Sequence, residues 1–243
     1  MIGAHVLEAQ IQIRDGAVRL PGFLAIPEHP SGLVLFAHGS GSGRFSSRNA
    51  RIAEALRKAG LATLLFDLLT ENEAAARANV FDIPLLAARL LTATQWALEE
   101  NPGVGLGYFG ASTGAAAALL AASEAGNRVK AVVSRGGRPD LALGALPRVR
   151  APTLLIVGSL DTEVLDLNRQ AYHQLRCAKR LVVVPGAGHL FEEGDTLLEV
   201  AGLAQGWFLD QLVFRTTDSG LRTQDPRPRV EGPALGGPAV SRS

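Results

Sequence analysis

Cysteine is almost missing from this chain: Cys177 stands alone among 243 residues. One thiol closes no internal disulfide and builds no cysteine-rich metal cluster, which excludes disulfide-stapled scaffolds and zinc ribbons. Cys177 lies in the mostly polar, helix-forming stretch Gln170 to Lys179, where a bystander thiol is expected in place of a nucleophile. Long apolar runs are missing too, none approaching the ~18 residues that span a bilayer, so no membrane partner is expected. The start Met1-Ile-Gly-Ala-His5 lacks the basic and apolar regions of a signal peptide, and the cytoplasm is the expected compartment. Charge of either sign is not in excess, since 24 Lys and Arg against 23 Asp and Glu leave a net charge of +1. Composition therefore implies neither a nucleic-acid surface nor an acidic-substrate channel.

What the chain does have is apolar content, 47% of residues, enough at this length for one domain with a substantial core. Residues Val6 to Arg14 alternate apolar and polar, and Ala17 to Ile26 follow a turn signal at Asp15-Gly16, which predicts an antiparallel hairpin at a sheet edge. From Leu33 onward, short continuous apolar runs alternate with amphipathic helices, the pattern of a parallel sheet covered on both faces. The runs are Leu33 to Ala37, Ala62 to Phe66, Val104 to Phe109, Lys130 to Ser134, Thr153 to Val157 and Leu181 to Val184. Helices are predicted over Ser47 to Lys58, Asp82 to Glu99, Ser112 to Ala125, Glu163 to Arg176 and Asp195 to Phe214. The predicted fold is α/β, a mostly parallel sheet of about eight strands with helices on both faces. Beyond Phe214 the chain turns rich in Pro, Gly and Arg, so residues 216–243 read as a disordered tail and residues 1–215 as the folded domain.

The stretch Gly105-Leu-Gly-Tyr-Phe-Gly-Ala-Ser-Thr-Gly114 carries the chemistry. An apolar strand runs into Gly110-x-Ser112-x-Gly114 and on into an alanine-rich helix, the setting of a nucleophile elbow. A serine hydroxyl becomes a useful nucleophile when it stands clear on a tight strand-to-helix turn beside a base and free N–H groups. Glycines two before and two after Ser112 let strand and helix cross closely. The overlapping Gly105-x-Gly107-x-x-Gly110 matches a dinucleotide-binding pattern, but Gly105 and Gly107 fall inside the strand and the next strand ends in Arg135 instead of an acid.

In open parallel sheets, ligands bind beyond the carboxyl ends of the strands. After Thr153 to Val157 comes Gly158-Ser-Leu-Asp161, with Glu163 as a rival acid, and after Leu181 to Val184 comes Pro185-Gly-Ala-Gly-His189. In the order Ser112, Asp161, His189, the histidine serves as general base and the aspartate fixes its tautomer; the alternative for Asp161 is a helix cap. Oxyanion donors are expected from the backbone N–H groups of Thr113 and Ser40, the latter in the loop His38-Gly-Ser-Gly-Ser-Gly43. That loop lacks the Lys-Ser/Thr of a P-loop, and His38 is expected to order it by hydrogen bonding.

Through His38-Gly39, Gly110-Ala-Ser112-Thr-Gly114, Gly158-Ser-Leu-Asp161 and Gly188-His189, residues 30 to 214 resemble the α/β-hydrolase superfamily, and within it the dienelactone-hydrolase-like group. The resemblance implies the α/β-hydrolase fold and a serine hydrolase of small carboxylic esters or lactones, with no cofactor and no metal. Dienelactone hydrolases proper carry cysteine where this chain has Ser112. Proteins similar to this one also occur joined to phosphoribosyltransferase domains, although the chain shows no phosphoribosyl-binding motif. An acyltransferase with the same triad, or an inactive hydrolase-fold binding protein, are the alternatives. The segment Arg135 to Arg150 is too short for a cap domain, which predicts an open site and a small-molecule ester as partner. A homodimer is left open. Arg135 and Arg138 follow a strand end on the catalytic side, where a guanidinium could hold a substrate carboxylate or phosphate or pair with Asp140 or Asp67. Asp67 reads as structural, and Arg44 and Arg48 as solvated.

Overall fold

The computed structural model describes residues 6–212. Strands β1 (Val6–Asp15) and β2 (Val18–Pro27) pair antiparallel from Val6↔Pro27 to Asp15↔Val18. The connecting loop is Gly16-Ala17, one residue later than the predicted turn, and Gly16 takes the positive φ (59°) that a two-residue hairpin loop requires. Six further strands follow: β3 (Leu33–Ala37), β4 (Ala62–Phe66), β5 (Leu106–Ala111), β6 (Val129–Arg135), β7 (Thr153–Gly158) and β8 (Lys179–Val184). They form one sheet in the order β1-β2-β4-β3-β5-β6-β7-β8, with β3 to β8 mutually parallel and β2 antiparallel to β4.

Helices α1 (Ser47–Lys58), α4 (Ile83–Glu100), α5 (Thr113–Ala125) and α6 (Thr162–Gln174) lie within two residues of their predicted bounds, and α7 (Thr196–Leu212) starts one residue late, its predicted end at Phe214 lying outside the described residues. Two one-turn helices between β4 and α4, α2 (Glu71–Ala74) and α3 (Arg77–Val80), are too short to carry a periodic signal. A 3₁₀ segment, Pro139–Arg148, occupies the connection in which a cap domain could have been inserted. The predicted tail, 216–243, lies outside the described residues.

Alternate strand residues feed two cores, as side chains pointing to opposite faces must. Leu33, Leu35, Leu64, Phe66, Leu106, Tyr108 and Leu155 join α4 and α5 on one face. Val34, Phe36, Leu65, Phe109, Leu154 and Ile156 join α1 and α7 on the other. Gly107 explains part of the false dinucleotide pattern: a Cβ there would lie 2.6 Å from Phe208 Cε1, so the glycine admits α7 onto the sheet. The chain leaves β3 toward β4 on one side and returns to β5 on the other. That reversal opens a crevice at the carboxyl ends of β3 and β5, where the loops carrying Ser40 and Ser112 emerge.

Candidate active site

Ser112 follows β5 directly and holds φ 52° and ψ −121°, a left-handed conformation that costs a non-glycine residue about 1–3 kcal/mol. The surrounding backbone holds it there. The Ser112 N–H donates to Arg135 C=O (3.2 Å), and the Ser112 C=O accepts from the N–H groups of Ala115 and Arg138 (both 3.1 Å). A Cβ on Gly110 would meet Ala115 Cα at 2.5 Å, and one on Gly114 would strike the carbonyl oxygens of Ala37 and His38. Both positions therefore need glycine for the strand and helix to cross.

Asp161 stands at the start of α6 but makes no capping bond. Its Oδ2 instead lies 2.6 Å from His189 Nδ1, joining the loops after β7 and β8. The Asp161 side chain is 15% exposed and that of His189 38%, so the carboxylate is enclosed while the imidazole keeps an open side. Glu163 is exposed in the first turn of α6. The His189 loop is fixed by buried Phe191 and by the Gly188 N–H, which donates to Glu193 Oε2 (3.0 Å) and holds that carboxyl below its usual range.

His38 ties the loop after β3 to the end of β4. Its Nε2 accepts from the Leu68 N–H (3.0 Å), which leaves Nδ1 to carry the proton and donate to Gly39 C=O (3.0 Å). Burial pushes His38 below the ordinary histidine range, opposed by the bond to Gly39 and the charge of Asp67. Ser40 departs from expectation. Its N–H already donates to Thr113 Oγ1 (2.9 Å), because the threonine hydroxyl at the start of α5 reaches back across the crevice. Thr113 itself is the first residue of α5, where an N–H has no intrahelical acceptor.

Ser112, His189, Ser40, Arg48, Asn49 and Arg135 line one cavity of about 210 Å³. A neighbouring cleft of about 350 Å³ shares Gly39, Ser40 and Ser42 and extends over Leu69, Val80 and Leu86. A larger cleft of about 550 Å³ beside Phe23 and Phe45 contains neither Ser112 nor His189. Arg138 does not line the Ser112 cavity: Nε and an η nitrogen donate to the two oxygens of Asp140 (2.8 and 2.7 Å), the ion-pair alternative for that residue. Arg44 is not simply solvated, since it pairs with Asp67 and lies 4.2 Å from the Phe45 ring centroid. Arg48 pairs with exposed Glu192 (2.6 Å) and also borders the cavity. Asn49 has no signal in the sequence; it is placed there by the start of α1.

A strained serine at a helix start, a carboxylate-bound imidazole in the same crevice and an unpaired helix N–H beside them are parts suited to acyl transfer. No protein-family model matches the chain. The chain is 53% identical to dienelactone hydrolase from Anabaena variabilis, whose crystal structure superposes with a TM-score of 0.83, covering 85% of this chain and 99% of that one. A lidless α/β serine hydrolase from Xanthomonas campestris, 20% identical, shares the fold with a TM-score of 0.69 over 83% of this chain and 93% of its own. Two Mycobacterium tuberculosis proteins named as phosphoribosyl transferases are 56% identical over 207 residues, 84% of this chain. The chain spans about half their length, 47%.

Proposed function

Since the chain belongs to the dienelactone-hydrolase-like α/β serine hydrolases, we propose that it cleaves small carboxylic esters or lactones through an acyl-enzyme on Ser112. The observation that carries this reading is the 2.6 Å bond between Asp161 and His189 in the crevice that presents the strained Ser112. Ser112 Oγ attacks the carbonyl carbon while His189 Nε2 takes its proton. Asp161 holds Nδ1–H and stabilises the imidazolium. The carbonyl oxygen, now anionic, accepts from the Thr113 N–H, joined by that of Ser40 once the Thr113 hydroxyl turns away. Each donor of this kind contributes ~3 kcal/mol to the transition state. His189 then protonates the leaving alkoxide, and the same ring activates the water that releases the acid.

No step needs a cofactor, and the expected setting is the cytoplasm. Acyl transfer to another alcohol would use the same intermediate. Phosphoribosyl transfer is the name of relatives of which this chain spans only 47%, and the parts around Ser112 favour ester chemistry. Treatment with a fluorophosphonate should place one adduct on Ser112 by mass spectrometry, and Ser112→Ala should abolish turnover of short p-nitrophenyl esters. Undiminished turnover in that variant would sink the assignment.

A further inference from the structure

We propose that Arg135, Arg48 and the start of α1 form a phosphate subsite beside Ser112, so that the ester cleaved is a small one bearing a phosphate group. This substrate class rests on the ester-hydrolase reading above. Arg135 is 6% exposed and lines the cavity that holds Ser112 and His189. Arg44, Arg89 and Arg138 each face a carboxylate. Among the described residues Arg135 does not: there its side chain donates only to Leu190 C=O at 3.5 Å, lies 5.9 Å from the Phe191 ring centroid, and encloses an Nε with no partner. A guanidinium taken out of water without a counter-ion is held at considerable cost, and such a charge is kept where a ligand supplies the missing anion.

Two further structural features point into the same cavity. Arg48 borders it with a second enclosed, unpartnered Nε, while another of its nitrogens pairs with Glu192 at the rim. Burial, and after it the like charge of Arg48, pushes Arg135 down to about 10. Helix α1 begins here, with Ser46 as cap and Asn49 buried in its first turn, and that turn contains no acidic residue to neutralise the helix dipole. The Asn49 N–H donates to the Ser46 hydroxyl (3.4 Å), and the N–H groups of Ser47 and Arg48 before it have no intrahelical acceptor, the arrangement that binds phosphate in many folds. Arg135 faces no carboxylate among the described residues and Arg48 shares its charge with Glu192 at the rim, so a phosphate dianion would take the free charge of Arg135, part of that of Arg48, and the helix start. The cavity, about 210 Å³, has room for a phosphate and a short spacer to the scissile carbonyl. The apolar remainder of the substrate would occupy the adjoining cleft over Leu69, Val80 and Leu86.

The test is thermal unfolding of the full chain with inorganic phosphate, with glutarate, and with chloride at matched ionic strength. Phosphate should raise Tm by about 5–11 °C at a hundredfold excess over Kd, more than glutarate, and the shift should vanish in Arg135→Met and shrink in Arg48→Met. Should Arg135→Met fail to fold, Arg48→Met carries the comparison. A phosphate shift no larger than that of chloride, one undiminished in the variants, or an equal response to glutarate overturns the phosphate subsite. A second arm compares acetyl esters of a hydroxyalkyl phosphate and of the same alcohol without phosphate. The phosphorylated ester should be favoured at least about tenfold in kcat/KM, and the preference should collapse in Arg135→Met. Ser112 labelling and neutral-ester turnover without any phosphate preference would remove the subsite alone. A phosphate-dependent Tm with an unlabelled Ser112 would remove the hydrolase reading and leave the subsite.

Discussion

Replacing Ser112 by glycine should stabilise the fold while abolishing turnover, because the serine is held at φ 52° and ψ −121°, where any Cβ is strained. Relief of that strain is worth about 1–3 kcal/mol, and the extra freedom glycine gives the unfolded chain returns about 0.4–1 kcal/mol. The net gain is about 1 kcal/mol, which for a folded region of this size raises Tm by about 2–4 °C. Ser112→Ala is the necessary control, since it removes the hydroxyl and keeps the Cβ. The difference between the glycine and alanine variants then isolates the backbone term. Thermal and urea unfolding of both variants at neutral pH would measure it, with m-values compared to establish that the unfolded state is unchanged. A glycine variant no more stable than the alanine variant would refute the strain and, with it, the view that stability is sacrificed here to expose a nucleophile.

Asp161→Asn should lower kcat by about 10⁴-fold by spoiling the His189 tautomer, while Glu163→Gln, which alters an exposed side chain, should stay near the wild-type rate; steady-state ester kinetics decides. For His38 the folded state disfavours the proton, so its contribution to stability is intact above the unfolded value of 6.5 and falls as pH drops below it, where the unfolded chain binds the proton first. The slope cannot exceed about 1.4 kcal/mol per pH unit, and urea midpoints at mildly acidic and neutral pH should converge for His38→Gln relative to wild type. Gly107→Ala puts a Cβ 2.6 Å from Phe208 Cε1 and should cost about 1–3 kcal/mol, partly restored by Phe208→Leu in the same chain; a neutral Gly107→Ala would mean that α7 packs elsewhere.

The architecture was largely legible because its signals are local. Continuous apolar runs such as Leu33–Ala37 and Ala62–Phe66 are strands buried on both faces, and Ser46 caps α1 at the predicted residue boundary. The one-turn helices α2 and α3 and the 3₁₀ segment Pro139–Arg148 are too short to show a period. At the site, the strand ends nominated Ser112, Asp161 and His189, yet no local rule says that Asp161 binds a histidine 28 positions on instead of capping α6.

By itself the sequence determined the element types, their α/β order and the glycines around Ser112, all consequences of short-range sterics and hydrophobic period. Only the tertiary structure decided which polar groups find partners. Folding carries Thr113 Oγ1 to the Ser40 amide across 73 positions and locks Arg138 onto Asp140. It also brings Arg135, which meets no carboxylate among the described residues, to the cavity that Arg48 borders while paired with Glu192. Hydrogen bonds and ion pairs act over a few ångströms between residues that are distant in sequence. The choice among rival charges therefore belongs to packing and cannot be read from spacing along the chain.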